Sequence, residues 1–176
     1  MAHRWKLMLL AAVLPGLVAC GGSTSGNPSA SSATSAATVK LFDPCTGIPN
    51  GALSAAGVDP ATKDSGVAGV HQSGWEICGW RGPKYYITVY STARPVSDFE
   101  TKPGNVEFRD VTIGGRQGRQ FRVEGGSKDL LCDVVFPAEQ GVLQIELSNR
   151  AALDNPENPC ALLSRFGAEI VPVLPQ

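Results

Sequence analysis

At 176 residues, with 43% apolar and 18% charged residues and a net charge of −1, the chain has material for one ordinary domain plus targeting sequence. The near balance of charge excludes the large basic excess that nucleic-acid binding requires. At the N-terminus, His3, Arg4 and Lys6 precede an apolar run of 12 residues, Leu7 to Val18. That run is too short to cross a bilayer of roughly 30 Å as a helix. It has no polar face from Leu7 to Leu14, so it does not read as an amphipathic core helix, and residues 1–19 read as an export signal.

The signal ends "LVAC", with small and apolar residues running into Cys20. This resembles the lipobox of bacterial lipoproteins. The resemblance implies cleavage before Cys20, diacylglyceryl lipidation of its sulfur, and acylation, palmitate being typical, of the new N-terminus. Two or three acyl chains on one residue hold a protein on a membrane lastingly, where a single chain holds it only reversibly. The expected location is the extracytoplasmic face of the cell membrane. Removal of Arg4 and Lys6 leaves 13 basic against 16 acidic residues, a charge of −3, so no nucleic-acid partner is expected. Residues 20–40 are nearly all Gly, Ser, Thr and Ala and read as a flexible tether of about 25 Å root-mean-square reach. Their Ser/Thr content is also that of a glycosylated stalk.

Residues 41–176 read as a single α+β domain. "PNGALSAAG" predicts a short helix. "GWEICGWRG" and "KYYITVYST" predict a hairpin joined through Gly82 and Pro83, and "ARPVSDFET" a helical turn opened by Pro95. Four more strands follow in "NVEFRDVTIGG", "RQGRQFRVEGG", "LLCDVVF" and "GVLQIELSN". Leu143, Ile145 and Leu147 alternate with Gln144 and Glu146, the period of a sheet with one buried face. Asn158 is a candidate N-cap with Pro159 at the first helical position, and Leu162, Leu163, Phe166, Ile170 and Val171 then form an apolar stripe that Pro172 ends. The expectation is an antiparallel sheet of five to six strands with helices packed on one face.

Setting Cys20 aside leaves Cys45, Cys78, Cys132 and Cys160, an even number in an exported chain, which predicts two disulfides. A zinc site is disfavoured: no two of these cysteines are close in sequence, and His71 is the one histidine left after processing. No metal or cofactor is expected. Of three possible pairings, Cys132–Cys160 would pin the terminal helix to the sheet and leave Cys45–Cys78; the other two remain open. Trp80 shares a strand face with Cys78 and is expected to pack over its bridge.

The lipobox and tether, then "FDPC" (Asp43, Pro44, Cys45), "CGW" (Cys78, Trp80), Gly114 and Gly115 before an Arg, Cys132, and "NPC" (Pro159, Cys160) before a terminal helix occur in an order similar to that of actinobacterial lipoproteins. These lipoproteins, of mycobacterial and nocardial type, share a domain of unknown function. The resemblance implies an extracytoplasmic α+β domain and no particular reaction.

No catalytic motif stands out. His71 lies near Ser73 and Glu76, but no G-x-S-x-G elbow occurs, and His71 reads as a loop residue. "VTIGGRQGRQ" lacks the context of a phosphate loop and reads as a hairpin turn. Arg109, Arg116, Arg119 and Arg122 are candidate contacts for a ligand or acidic partner, with a solvated face as the alternative. Tyr85, Tyr86, Tyr90 and Trp75 invite a carbohydrate or lipid reading against one of ordinary packing. The expected function is a lipid-anchored binding module for a small amphipathic ligand or an envelope protein. An envelope hydrolase using His71 is the alternative, and the former predicts a concave apolar pocket or exposed patch.

Overall fold

Alternating apolar residues through the middle of the chain give strands that join into one sheet with two differently furnished faces. The computed structural model describes residues 40–176. The expectations for the signal, for Cys20 and for the tether up to residue 39 lie outside the described residues. Seven strands, β1 (Asp59–Ser65), β2 (Trp75–Arg81), β3 (Tyr85–Thr92), β4 (Asn105–Ile113), β5 (Arg116–Val123), β6 (Leu131–Ala138) and β7 (Gly141–Asn149), form an antiparallel sheet in the order β1-β2-β3-β7-β6-β5-β4. After β3 the chain crosses to the far edge and returns by hairpins to pair β7 with β3.

The expectation of five to six strands is therefore corrected to seven. The missed strand is β1, "DPATKDS", an edge strand that is largely exposed and carries Pro60. It has no buried face, so there is no alternation to read. Its pairing with β2 is also irregular between Asp59 and Asp64.

The centre of the inner face is apolar. Ile87 and Val89 of β3, Val134 and Phe136 of β6, and Leu143, Ile145 and Leu147 of β7 are all fully buried there. Each such side chain contributes about 1.5–3 kcal/mol by leaving water. Three helices cover this face: α1 (Pro44–Gly47), α2 (Asn50–Ala55) and, much the longest, α4 (Pro159–Ile170). The α4 start follows from its sequence, because Asn158 accepts hydrogen bonds from the amides of Cys160 (2.9 Å) and Ala161 (3.2 Å), and Pro159 needs no partner for a missing N–H. Leu162, Leu163 and Ile170 then bury the stripe, and a short 3-10 turn at Val171–Val173 follows.

Two disulfides hold these helices to the sheet. Cys45 of α1 is bonded to Cys78 of β2, and Cys132 of β6 to Cys160 at the start of α4. With sequence separations of 33 and 28 residues, each closes a loop whose restriction of the unfolded chain is worth about 3–4 kcal/mol. Trp80 is buried in the same core as Cys78. Gly114 and Gly115, both with positive φ, make the two-residue turn between β4 and β5, a conformation that side-chain-bearing residues resist. On β5, a Cβ at Gly118 would come within 2.7 Å of Phe136 and Val134, so the strand admits no side chain there.

The helices do not all lie on one face. The short α3 (Val96–Glu100), which follows β3, sits on the outer face, where Phe99 packs with Phe121, Val135 and Val142. Its Phe99 anchor belongs to the opposite side of the sheet from the α4 stripe, which a local periodicity cannot reveal.

Candidate ligand site on the outer face

On the outer face, the residues alternating with the core are polar or aromatic. Strand register sets Glu146 of β7 directly opposite Asp133 of β6 on one side and Thr88 of β3 on the other. Asp133 in turn faces Phe121 of β5, and Tyr90 faces Gln144. Two carboxyl groups thus meet as cross-strand neighbours in the middle of the sheet, an arrangement unfavourable when both are charged.

They line a hollow of about 400 Å³. Its apolar wall is aromatic: Trp75 stands nearly perpendicular to Tyr90 (6.3 Å between centroids) and to Phe99 (6.2 Å), and Phe99 in turn tilts against Phe121 at 6.3 Å. The polar lining includes Lys102, from the segment between α3 and β4, and Asn105, the first residue of β4. A second hollow, of about 360 Å³, shares Val67, Ile77, Tyr90 and Glu146 with the first and runs towards β1. Val67, from the loop between β1 and β2, is 54% exposed. The face therefore presents an extended concave surface with Tyr90 and Glu146 common to both halves.

The hydrogen bonding here is incomplete. Tyr90 donates its hydroxyl to Glu146 Oε2 at 3.1 Å, and Gln144 donates Nε2 to Asp133 Oδ1 at 2.6 Å. Asn105 donates Nδ2 to the Phe99 carbonyl at 2.9 Å. Asp133 Oδ2 and Asn105 Oδ1 are buried and accept no hydrogen bond from any described residue. Asp133 is only 1% exposed, and its carboxyl is pushed up to about 8, first by burial and then by the charge of Glu146. Burial also raises Glu146, against the pull of the Tyr90 hydroxyl, and it raises Tyr90, which faces both carboxyls. Near neutral pH the pair holds a proton rather than two full charges.

The four arginines singled out in the sequence do not converge on a site. Arg116 donates to the carbonyls of Pro175 (2.7 Å) and Pro137, and lies over the Phe136 ring. Arg119 is clamped between Glu100 (2.8 Å) and Asp110 (3.0 Å). Arg122 donates to the Lys128 carbonyl at 2.6 Å, and with the Gln120 amide oriented oxygen-first Arg109 donates to it from Nη2 at 3.0 Å. A larger hollow of about 670 Å³ around Val96, Asp110 and Arg119 is lined by charges that already satisfy one another.

The aromatic residues divide. Trp75 and Tyr90 line the outer hollow, whereas Tyr85 is buried in the inner core with its hydroxyl donating to the Ala56 carbonyl at 2.9 Å. Tyr86 lies under the Arg150 guanidinium. His71 is exposed in the loop between β1 and β2, and its imidazole has no hydrogen bond or ion pair among the described residues, so no nucleophile–acid arrangement forms around it. Among the described residues no cluster of three or more His, Cys, Asp or Glu has the geometry of a metal site, and no helix is long and apolar enough to cross a membrane.

Asp133, Glu146, Asn105 and Lys102 were not singled out from the sequence. One signal was present: Asp133 is an acid in the otherwise apolar run "LLCDVVF", where an exposed strand face would alternate. No curated protein and no solved structure matches the chain. A family model does, over residues 15–172: the chain belongs to the family described as "Protein of unknown function (DUF3558)".

Proposed function

We propose that this protein is a lipid-anchored module of the cell envelope, carried on Cys20 at the extracytoplasmic face of the membrane, that binds a small amphipathic ligand on the outer face of its sheet. The observation that carries the binding half is the aromatic-walled hollow with two buried oxygens, on Asp133 and Asn105, that have no hydrogen-bond partner among the described residues. Unsatisfied buried polar atoms cost free energy, and a ligand donor is what relieves them. A mostly apolar concavity of a few hundred cubic ångströms with few convergent polar groups is the usual form of a small-molecule site. The anchoring half is supported by the basic start, the short apolar run and the "LVAC" boundary.

Two measurements test this reading. Mass spectrometry of the mature protein from membranes should find an N-terminal Cys20 bearing acyl chains; an unmodified cysteine or cleavage elsewhere overturns the anchor. Titration of the full lipidated chain with three amphiphiles sharing a phenyl body, phenethylammonium, 2-phenylethanol and 3-phenylpropionate, should give saturable changes in Trp75 emission for at least one, lost in Trp75→Phe. The absence of any saturable change overturns the binding site.

A further inference from the structure

The outer hollow also indicates the charge of its ligand, an inference that rests on reading it as a binding site. We propose that it takes an amphipathic organic cation, an ammonium or amidinium head on a small apolar body, with the head seated against Asp133 and Glu146 and the body against the aromatic wall.

The argument starts from the acid pair. Asp133 and Glu146 are paired across β6 and β7, so both carboxyls enter the same hollow from adjacent strands. Lys102 is the cationic side chain lining the hollow, and among the described residues it forms no ion pair with either acid. Other groups facing the pair are neutral: Gln144, Tyr90 and Thr88. The charge of Lys102 draws the Asp133 carboxyl down, against its burial and Glu146, but neither acid has a counter-charge in contact with it. Of the unsatisfied atoms, Asn105 Oδ1 is an acceptor and Asp133 Oδ2 becomes one once its carboxyl ionises, so the complement of the ionised hollow is a donor.

A neutral polyol supplies donors but leaves the two acids uncompensated, and an anion meets like charge. A hard metal ion needs six or more oxygen ligands, which this aromatic wall does not offer. An organic cation supplies N–H donors and charge together, and the rings of Tyr90, Phe99 and Phe121 attract a cation to their faces. Its arrival favours the charged form of both carboxyls, so the proton held by the pair is released to solvent as the cation binds. No covalent bond is made or broken.

The test uses the full lipidated chain and the same phenyl probes, with binding read from Trp75 emission and proton uptake from calorimetry in buffers of different ionisation enthalpy. Phenethylammonium should bind at least tenfold more tightly than 2-phenylethanol, release up to one proton at pH 7, and tighten by up to tenfold per pH unit between pH 6 and 8. Glu146→Gln, which keeps a hydrogen-bonding partner for Tyr90, should reduce the preference to under threefold with the melting temperature retained. Asp133→Asn should do the same, and Glu146→Gln alone decides if that variant does not fold. Equal affinity for the alcohol, or a preference that survives Glu146→Gln, overturns the cation while leaving the binding site. Failure of every probe overturns both.

Discussion

The two faces of the sheet are made by the same strands, residue by residue in alternation, yet they are built to opposite rules. On β7, Leu143, Ile145 and Leu147 enter an apolar core beneath the helices, while Gln144 and Glu146 between them enter a hollow lined by carboxyl, amide and aromatic groups. The inner face is stapled by two disulfides and covered by α4; the outer carries one short helix and stays concave. The difference shows how one sheet separates stability from recognition: apolar packing sits where helices and disulfides fix it, and a concave surface of acids and aromatic rings sits on the side they leave open.

This division can be broken experimentally. Leu147→Ala removes a fully buried side chain beneath α4 and should lower unfolding free energy by about 3–4 kcal/mol in a urea titration with disulfides intact. A loss under about 1 kcal/mol would mean that the inner face is not the stabilising one. Gly118→Ala, which forces a methyl group against Phe136 and Val134, should cost about 1–3 kcal/mol by overpacking.

The outer face should register in pH dependence instead. Asp133 holds its proton up to about 8 when folded, whereas in the unfolded chain it releases it in the ordinary carboxylate range. Within that window the folded state binds more protons than the unfolded state, so stability falls as pH rises, by at most about 1.4 kcal/mol per unit for one proton. Glu146, raised in the same direction, adds to this slope. Thermal melts from pH 4 to 9 should show the decline, and Asp133→Asn should flatten it; a wild-type profile rising from pH 5 to 8 would contradict the buried acid pair. Smallest is the α4 cap: Asn158→Ala, which leaves the amides of Cys160 and Ala161 without their acceptor, should cost about 1 kcal/mol in the same urea titration.

What the sequence made legible was the side of the molecule governed by local pattern. Leu143, Ile145 and Leu147 declare a buried face because strand periodicity is local, and Asn158-Pro159 declares a helix start because capping is local. The β1 strand escaped because "DPATKDS" pairs through its backbone alone, with no buried stripe to mark it. The hollow escaped for a different reason. Asp133 and Glu146 are 13 positions apart, and their meeting depends on the β6–β7 register, which the turn between Ala138 and Gly141 sets. Lys102 and Asn105 arrive from across the sheet, and the arginines that looked like a patch are each satisfied by backbone carbonyls or nearby polar side chains.

The strand most hidden from pattern reading has a consequence at the boundary of the molecule. An open sheet ends in two free rows of backbone donors and acceptors, each a template for a neighbouring chain. Here β1 closes one end with Pro60, Lys63 and Asp64 and an interrupted register, and β4 closes the other with a bulge at Glu107, whose φ is 57°, beside Arg109 and Asp110. Neither border offers a flat, unbroken strand, so both edges disfavour strand pairing between copies of the domain.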